Sequence, residues 1–269
     1  MMRNRAYETK TLFVTVKTYP NPSKKHIETT CVSGITDEGY WIRLHPVHFR
    51  LLEDSSQFQR YSWMRVRVNK ATQDPRPESY HLDESKIEII RHTTTDNMWQ
   101  ERREIIEPLL SRSIEDLQDQ QASNRTSLGA IRPKEITRFH IKDTDPHWSP
   151  EQLAKLSQLG LFSPQNVPLL EKIPFEFVYD FYCDDPRCNG HSMQVFDWEV
   201  AQSYRKWSQG KSRTEWERQI RDMYDYKVRK MCDTIFFMGT LAKYPTTWTI
   251  GGIFFAPKQR PQPTLWRIY

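Results

Sequence analysis

The sequence predicts an α+β fold that is mainly β, in which two small β-rich modules flank a helical middle. Strand alternation appears near both ends: Met64–Val68 sets two arginines opposite three apolar residues, and Phe175–Phe181 repeats aromatic residues at every second position. Between them, Ser149–Gln152 combines a cap, a first-turn proline and an acid, which starts a helix. Short strands separated by Pro, Gly and Asn turns favour a small barrel or sandwich.

The first β module is predicted over residues 1–95. Its predicted strands are Leu12–Val16, Ile27–Ile35, Tyr40–Val47, Met64–Val68 and Lys86–Arg91. In the third of these, Ile42 and Leu44 share one face, whereas Trp41, Arg43 and His45 share the other. The apolar face is expected to point into the module.

Residues 96–165 are predicted to form a helical connector. Asp96 can cap a first helix, a second begins after Ser113, and a third begins at Ser149 and ends at Gly160. Between the last two, Arg138–Ile141 is predicted as a strand.

Residues 166–269 are predicted as a second β module with inserted helices. Its strands are expected at Phe175–Phe181, Met193–Phe196, Thr234–Met238 and Thr247–Phe255. Asp197 starts one helix, and the capping box Ser212–Glu215 starts another that runs to about Met231. Gly251-Gly252 lies inside a strand pattern and indicates a bulge. The order β, helical, β favours two similar modules.

Composition bounds the class of protein. The 269 residues allow two small domains, and 13% aromatic residues with nine Trp argue against a low-complexity chain. Apolar runs such as Ile253–Ala256 are far too short to span a membrane. Four Cys do not make a disulfide scaffold, and no leader pattern opens the chain, so we expect a cytoplasmic protein. Thirty-nine Lys and Arg against thirty-four Asp and Glu give +5, which is compatible with a nucleic-acid partner.

Short motifs at both ends resemble the bacterial dual OB-containing domain family. The matching residues are Ser23-Lys24-Lys25, Glu28, Cys31–Ile35, Trp41–Leu44, Pro46-Val47, Pro77–Tyr80, Phe236–Thr240, Tyr244 and Ile250–Phe255. Leu44 stands where that family has Pro, and neither the middle of the chain nor Cys183–His191 belongs to the pattern. The resemblance implies two consecutive OB-like barrels and a role in nucleic-acid transactions, with no catalytic residues.

A metal site is predicted by Cys183, Cys188 and His191. Three soft or borderline ligands within nine residues, around a Pro and a Gly, can wrap a structural zinc ion. Cys232 is the first candidate for a fourth ligand; His147, Asp184 and Asp185 are the others. The alternative is a hairpin tip with a free pair of cysteines and an exposed His.

A nucleic-acid interface is predicted where basic and aromatic residues share strand faces and loops of the first module. The candidate residues are Lys24, Lys25, Trp41, Arg43, Arg50, Tyr61, Arg65 and Arg67. In the alternative interpretation Trp41 is a core residue, and the arginines form a solvated face with Asp and Glu partners. We expect a non-catalytic reader of single-stranded or distorted nucleic acid, acting alone or for a partner enzyme.

Two other functions stay open. Asp197 and Glu199 near a metal at Cys183, Cys188 and His191 would make a hydrolase or nuclease, although acids at these positions also cap a helix. In the second alternative the β-faces dock a protein, and the basic residues are incidental. The sequence contains no Gly-rich phosphate loop, G-x-S-x-G elbow or H-E-x-x-H helix.

Overall fold

The structure, a computed structural model, describes residues 7–23, 27–157 and 167–258 and contains two β-sheets. The strands of the first sheet are β1 (Glu8–Lys17), β2 (Asn21–Ser23), β3 (Ile27–Thr36), β4 (Trp41–Val47), β5 (Ser62–Lys70) and β6 (Ser79–His92). Five of them form a closed ring of pairs in the order β1-β3-β4-β6-β5, because β1 pairs with both β3 and β5. This barrel is the predicted first module.

The second sheet begins in the range predicted as a connector. Its strands are β7 (Leu110–Ser111), β8 (Leu128–Ile131), β9 (Glu135–Asp143), β10 (Phe175–Tyr182), β11 (His191–Val195), β12 (Cys232–Thr240) and β13 (Trp248–Pro257). They lie in the order β7-β8-β12-β13-β11-β10-β9. Residues 96–165 therefore do not form a separate helical unit, because β8 and β9 lie in this range and belong to the second sheet.

The two sheets repeat one pairing scheme. The five barrel strands, counted without the short β2, are β1, β3, β4, β5 and β6. The third and fifth of them, β4 and β6, pair in parallel, and the other neighbours are antiparallel. In the second sheet, β11 and β13 are the parallel pair within the run β9-β10-β11-β13-β12. The two sheets differ in whether they close into a barrel. In the second sheet β12 pairs with β8 and not with β9, so the described strands leave that sheet open. The order of elements therefore supports two similar modules.

The helices begin largely where the sequence predicts. They are α1 (Asp96–Ile106), α2 (Ile114–Asn124), α3 (Pro150–Leu156), α4 (Trp198–Trp207) and α5 (Arg213–Ile220), which continues as a π-helical segment, Arg221–Met231. Ser113, Ser149, Asp197 and Ser212 are the N-caps of α2 to α5, as predicted. Asp96 lies inside α1, whose cap position is Thr95. The predicted stop at Gly160 falls outside the described residues.

The outer face of the barrel is packed against the second sheet. Phe13 and Ile35 of the barrel share a buried apolar cluster with Ile235, Phe237 and Phe254 of the second sheet. Inside the barrel, Val32, Ile42 and Leu44 belong to a separate core, so the predicted alternation of the third strand is confirmed. The second sheet therefore covers part of the face that carries Trp41 and Arg43. Within the described ranges, no helix has the length and apolar character of a membrane span.

Candidate functional site

A cleft of about 210 Å³ opens where the barrel meets the second sheet. On the barrel side its wall is made by the second and third strands, β3 and β4, and by the loops that follow β1 and β5. The residues are Thr18, Asn21, Cys31, Ser33, Arg43, His45 and Arg76. On the other side lie β12 and β13 with Leu241 and Ala242 beyond β12, so both modules build the cleft.

Arg43 is the charged group at the base of this cleft. Its side chain belongs to a residue only 1% exposed, and it donates to Ser79 Oγ, Ser127 Oγ and the Ser127 carbonyl oxygen at 3.2, 2.8 and 2.9 Å. Glu78 accepts hydrogen bonds from the N–H and hydroxyl groups of Ser127. The carboxylate of Glu78 is therefore linked to Arg43 only through Ser127. Arg43 forms no ion pair with any described residue, and although burial lowers the pKa of its guanidinium, an arginine stays charged.

Arg76 supplies a second buried guanidinium, and sequence reasoning missed it. The loop after β5 brings Arg76 against Asp74, with Nη2 and Oδ2 2.6 Å apart, and Arg76 Nη1 donates to the carbonyl oxygen of Thr240 on β12. These hydrogen bonds tie the barrel loop to the second sheet. The Pro77–Tyr80 motif lay beside Arg76 in the sequence and was the signal that could have pointed to this loop.

The opposite wall contains two glycines beside larger residues such as Phe196, Met238 and Leu241. Gly239 and Gly251 both line the cleft, and the register of β12 and β13 shifts around Gly251, which confirms the predicted bulge. A Cβ atom at Gly251 would lie 3.1 Å from Val16 Cγ1, so the two walls approach closely here.

Of the predicted interface residues, Trp41, Arg43 and Tyr61 lie at the junction of the sheets. Trp41 contacts the Phe237 ring at 6.2 Å between centroids, and Tyr61, 7% exposed, packs on Phe254. The structure therefore gives both rings a packing role, because the second sheet covers the barrel face that carries them.

Among the described residues, the other predicted basic side chains do not line the cleft. Arg65 and Arg67 lie about half exposed on β5 and pair with Glu88 and Asp83 at 2.7 and 3.7 Å. Arg50 pairs with Glu28 at 3.0 Å. Lys24 and Lys25 lie outside the described residues. The six predicted side chains that the structure describes are thus not gathered into one groove.

The carboxylates considered for a hydrolase bind an arginine of the barrel. Asp197 is buried and accepts from Arg60 Nη1 at 2.7 Å, while Glu199 pairs with the same guanidinium. Asp197 also accepts from the backbone N–H groups of Glu199 and Ile253. Neither carboxylate belongs to the potential metal site, and their contacts explain them as helix cap and junction ion pair.

The potential metal site consists of Cys183, Cys188, His191 and Glu115. One ligand atom from each lies within 4.8 Å of the others. Cys188 Sγ is 3.4 Å and Glu115 Oε1 3.1 Å from His191 Nε2, close to the separations expected around an ion with 2.0–2.3 Å bonds. Glu115 Oε2 is buried without a hydrogen-bond partner, and burial raises the pKa of the Cys183 thiol to about 12. A cation would satisfy both groups.

The fourth member of the cluster is Glu115, whereas the sequence favoured Cys232 as the fourth ligand. The reason is the docking of α2: its cap Ser113 donates to Asp185 of the cysteine loop at 2.9 Å, and this brings Glu115 over the thiols. Cys232 starts β12 and lines a different concavity, together with Lys258. Asp185 is used in the docking network, and neither Asp184 nor His147 belongs to the cluster.

Two family models match the chain. The model described as Domain of unknown function (DUF8757) matches residues 110–268, and the model described as Domain of unknown function (DUF8758) matches residues 8–108. The boundary between them falls just before β7, where the chain enters the second sheet. No curated protein matches the chain.

Proposed function

The chain belongs to the DUF8757 family, and we propose that this member binds nucleic acid as a non-catalytic reader of single-stranded or distorted strands. The observation that carries the proposal is the position of the cleft: it lies on the second and third strands of a five-stranded barrel and on the loops after the first and fourth strands. OB folds bind oligonucleotides at these strands and loops.

The pairing scheme supports the OB identity of the modules. The order first-second-third-fifth-fourth, with a parallel third and fifth strand, is the order of the OB fold, and both sheets have it. In the second sheet the helices α4 and α5 lie between the third and fourth strands, where OB folds carry their helix. The resemblance of the end motifs to the dual OB-containing domain family agrees with this assignment.

The chemistry of the cleft suits a base or a phosphate group. Arg43 and Arg76 bring positive charge to the lining from buried side chains that hydrogen-bond to protein groups, and Ser33 and Thr249 lie in the same lining. A planar guanidinium fork recognises the acceptor pairs of guanine and the oxygens of phosphate.

The volume of the cleft limits the ligand inside it to a single base. About 210 Å³ is below the ~300–1,000 Å³ of pockets that hold drug-sized molecules. One base can enter the cleft, but two stacked bases of a strand cannot. The ligand base must therefore be unstacked, which costs least in a single strand or at a distorted pair.

A larger concavity suits a nucleic acid less well. It has a volume of about 710 Å³ and contains Arg103 and Arg132. Asp233 and Glu107 hold both guanidiniums, while Lys134, Arg229, Lys230 and Lys258 keep the lining basic. The concavity lies away from the second and third strands of either module, where OB folds bind oligonucleotides.

We further propose that the Cys183, Cys188, His191 and Glu115 cluster holds a structural zinc ion. Two sulfurs, one imidazole and one carboxylate complete a tetrahedral set, which leaves no open position for substrate. The ion would fix the end of α2 to the β10–β11 loop, a polar segment with few apolar contacts of its own.

Fluorescence polarisation with a labelled single-stranded oligonucleotide of about 16 residues, as DNA and as RNA, tests the function. We expect binding whose affinity falls steeply with salt concentration. Ala242→Trp places an indole at the exposed mouth of the cleft, and we expect it to weaken binding by about tenfold or more, the value of one lost base contact. Ala154→Trp is the matched control, since it adds the same ring on an exposed position of α3.

Two results would contradict the proposal. Absence of binding at low salt would remove the nucleic-acid function, and equal binding by the two tryptophan variants would remove the cleft as its site. Salt-independent capture of a co-purifying protein would instead favour an interaction module.

A further inference from the structure

The outer face of β10 and β11 is the counterpart, in the second sheet, of the barrel face that carries the cleft. Phe177, Tyr179 and Phe181 of β10 point into the core, which leaves Asp180 and Tyr182 on the outer face. By pairing order β10 and β11 are the second and third strands of their module. This face carries an open concavity of about 440 Å³, so it remains accessible where the barrel face is partly covered.

Tyr182 is the aromatic residue of this face. It is 45% exposed, whereas the other rings of β10 are largely buried. Gly190 of the cysteine loop lies against it: a Cβ there would be 3.0 Å from Tyr182 Cε1, and φ is +93°. The loop that carries Cys188 and His191 therefore supports one side of the ring and leaves nearly half of the side chain open to a ligand.

The charges around Tyr182 are nearly balanced. Arg138 and Lys142 lie exposed on β9, and neither side chain has a hydrogen-bond or ion-pair partner among the described residues. Asp180 is paired with His140, and Glu176 lies opposite Lys142 in the strand register. A phosphate here gains little net attraction, so stacking on the ring must supply most of the contact.

We propose that Tyr182 is a stacking platform for a second base of the bound strand, and that the metal-bound loop holds its ring in place. This inference rests on the proposed function, because it requires a nucleic-acid ligand. It also assigns the metal a role in binding: the ion fixes the loop, the loop positions the ring, and the ring contacts the base. Any base offers a flat face, so this contact is indifferent to sequence.

Tyr182→Leu tests the platform in the oligonucleotide assay. We expect about fivefold weaker binding or more, by the same factor at every salt concentration, because the ring carries no charge. Tyr182→Phe keeps the ring and should bind as the wild type does. Tyr226→Leu is the matched control, since Tyr226 is 60% exposed on the π-helical segment, away from this face.

Cys188→Ser tests the part played by the metal. We expect it to weaken binding as much as Tyr182→Leu does, and the double variant to lose no more than either single variant. If Cys188→Ser does not fold, the comparison of Tyr182→Leu with Tyr182→Phe still decides the stacking role. Unchanged binding by Tyr182→Leu, with Ala242→Trp still weakened, overturns this inference and leaves the proposed function standing. Absence of binding by the wild type overturns both.

Discussion

Arg60 reaches across the junction between the sheets and donates to Asp197, with Nη1 and Oδ2 2.7 Å apart. Both side chains are buried, and Asp197 also caps α4 and accepts from the Ile253 N–H group of β13. A single carboxylate thus joins the barrel, a helix and a strand of the second sheet. The two modules are held together by a buried ion pair as well as by the apolar cluster around Phe237.

Asp197→Asn should destabilise the protein by about 3 kcal/mol, because it leaves the buried Arg60 charge without its buried partner. Glu199→Gln is the control: it touches the same guanidinium, but its side chain is 47% exposed, so we expect a loss of about 1 kcal/mol or less. Chemical denaturation measures both. Equal losses in the free energy of unfolding would mean that Asp197 contributes no more to the junction than Glu199 does.

Arg65→Gln together with Arg67→Gln should change oligonucleotide affinity by no more than about twofold at moderate salt. Both guanidiniums already have carboxylate partners, and β5 contributes no residue to the cleft. The double variant is measured by polarisation across a salt series. A large loss with a flatter salt slope would place the interface on β5.

Glu115→Gln should weaken the retention of zinc, because it replaces an anionic ligand by a neutral amide. Cys232→Ser should retain zinc as the wild type does, since Cys232 lies outside the cluster. Metal content after dialysis against a graded chelator distinguishes the two. Loss of zinc from Cys232→Ser, with retention by Glu115→Gln, would reverse the assignment of the fourth ligand.

His48 should make folding depend on pH. Its Nδ1 lies 3.0 Å from Glu84 Oε1, and the hydrogen bond to Glu84 raises the pKa of His48 above its ordinary value. A raised pKa means that the stabilisation is complete below the unfolded pKa of about 6.5 and is lost as the pH rises through the folded value. We therefore expect His48→Gln to cost about 1 kcal/mol near pH 5.5 and less near pH 8.5. A pH-independent difference between wild type and variant would contradict this.

Local structure could be predicted from the sequence because its causes are local. Alternation located the strands, and side-chain caps such as Ser113 and Ser212 located helix starts, since an oxygen near free backbone N–H groups acts over only a few residues. The same alternation placed Arg43 on the outer face of the barrel. It could not show that a second sheet covers part of that face, because covering depends on contacts between distant segments.

Glu115, the proposed fourth ligand, was missed for a similar reason. Glu115 stands in the first turn of α2, where an acid is favoured by the helix dipole alone, and it lies 68 residues before Cys183. Only the docking of Ser113 onto Asp185 brings the two together. Cys232 looked suitable by residue type, but the strand that it begins leads away from the cysteine loop.

Cys31 offers the most direct measurement of the cleft. Its thiol is free and partly exposed in the lining, beside Arg43, whereas Cys232 lies outside the cleft. Alkylation with a maleimide, followed by peptide mass spectrometry, reports each thiol separately. We predict that a saturating single-stranded oligonucleotide slows the modification of Cys31 and leaves that of Cys232 unchanged. An unaltered rate at Cys31, with the oligonucleotide fully bound, would contradict binding in the cleft.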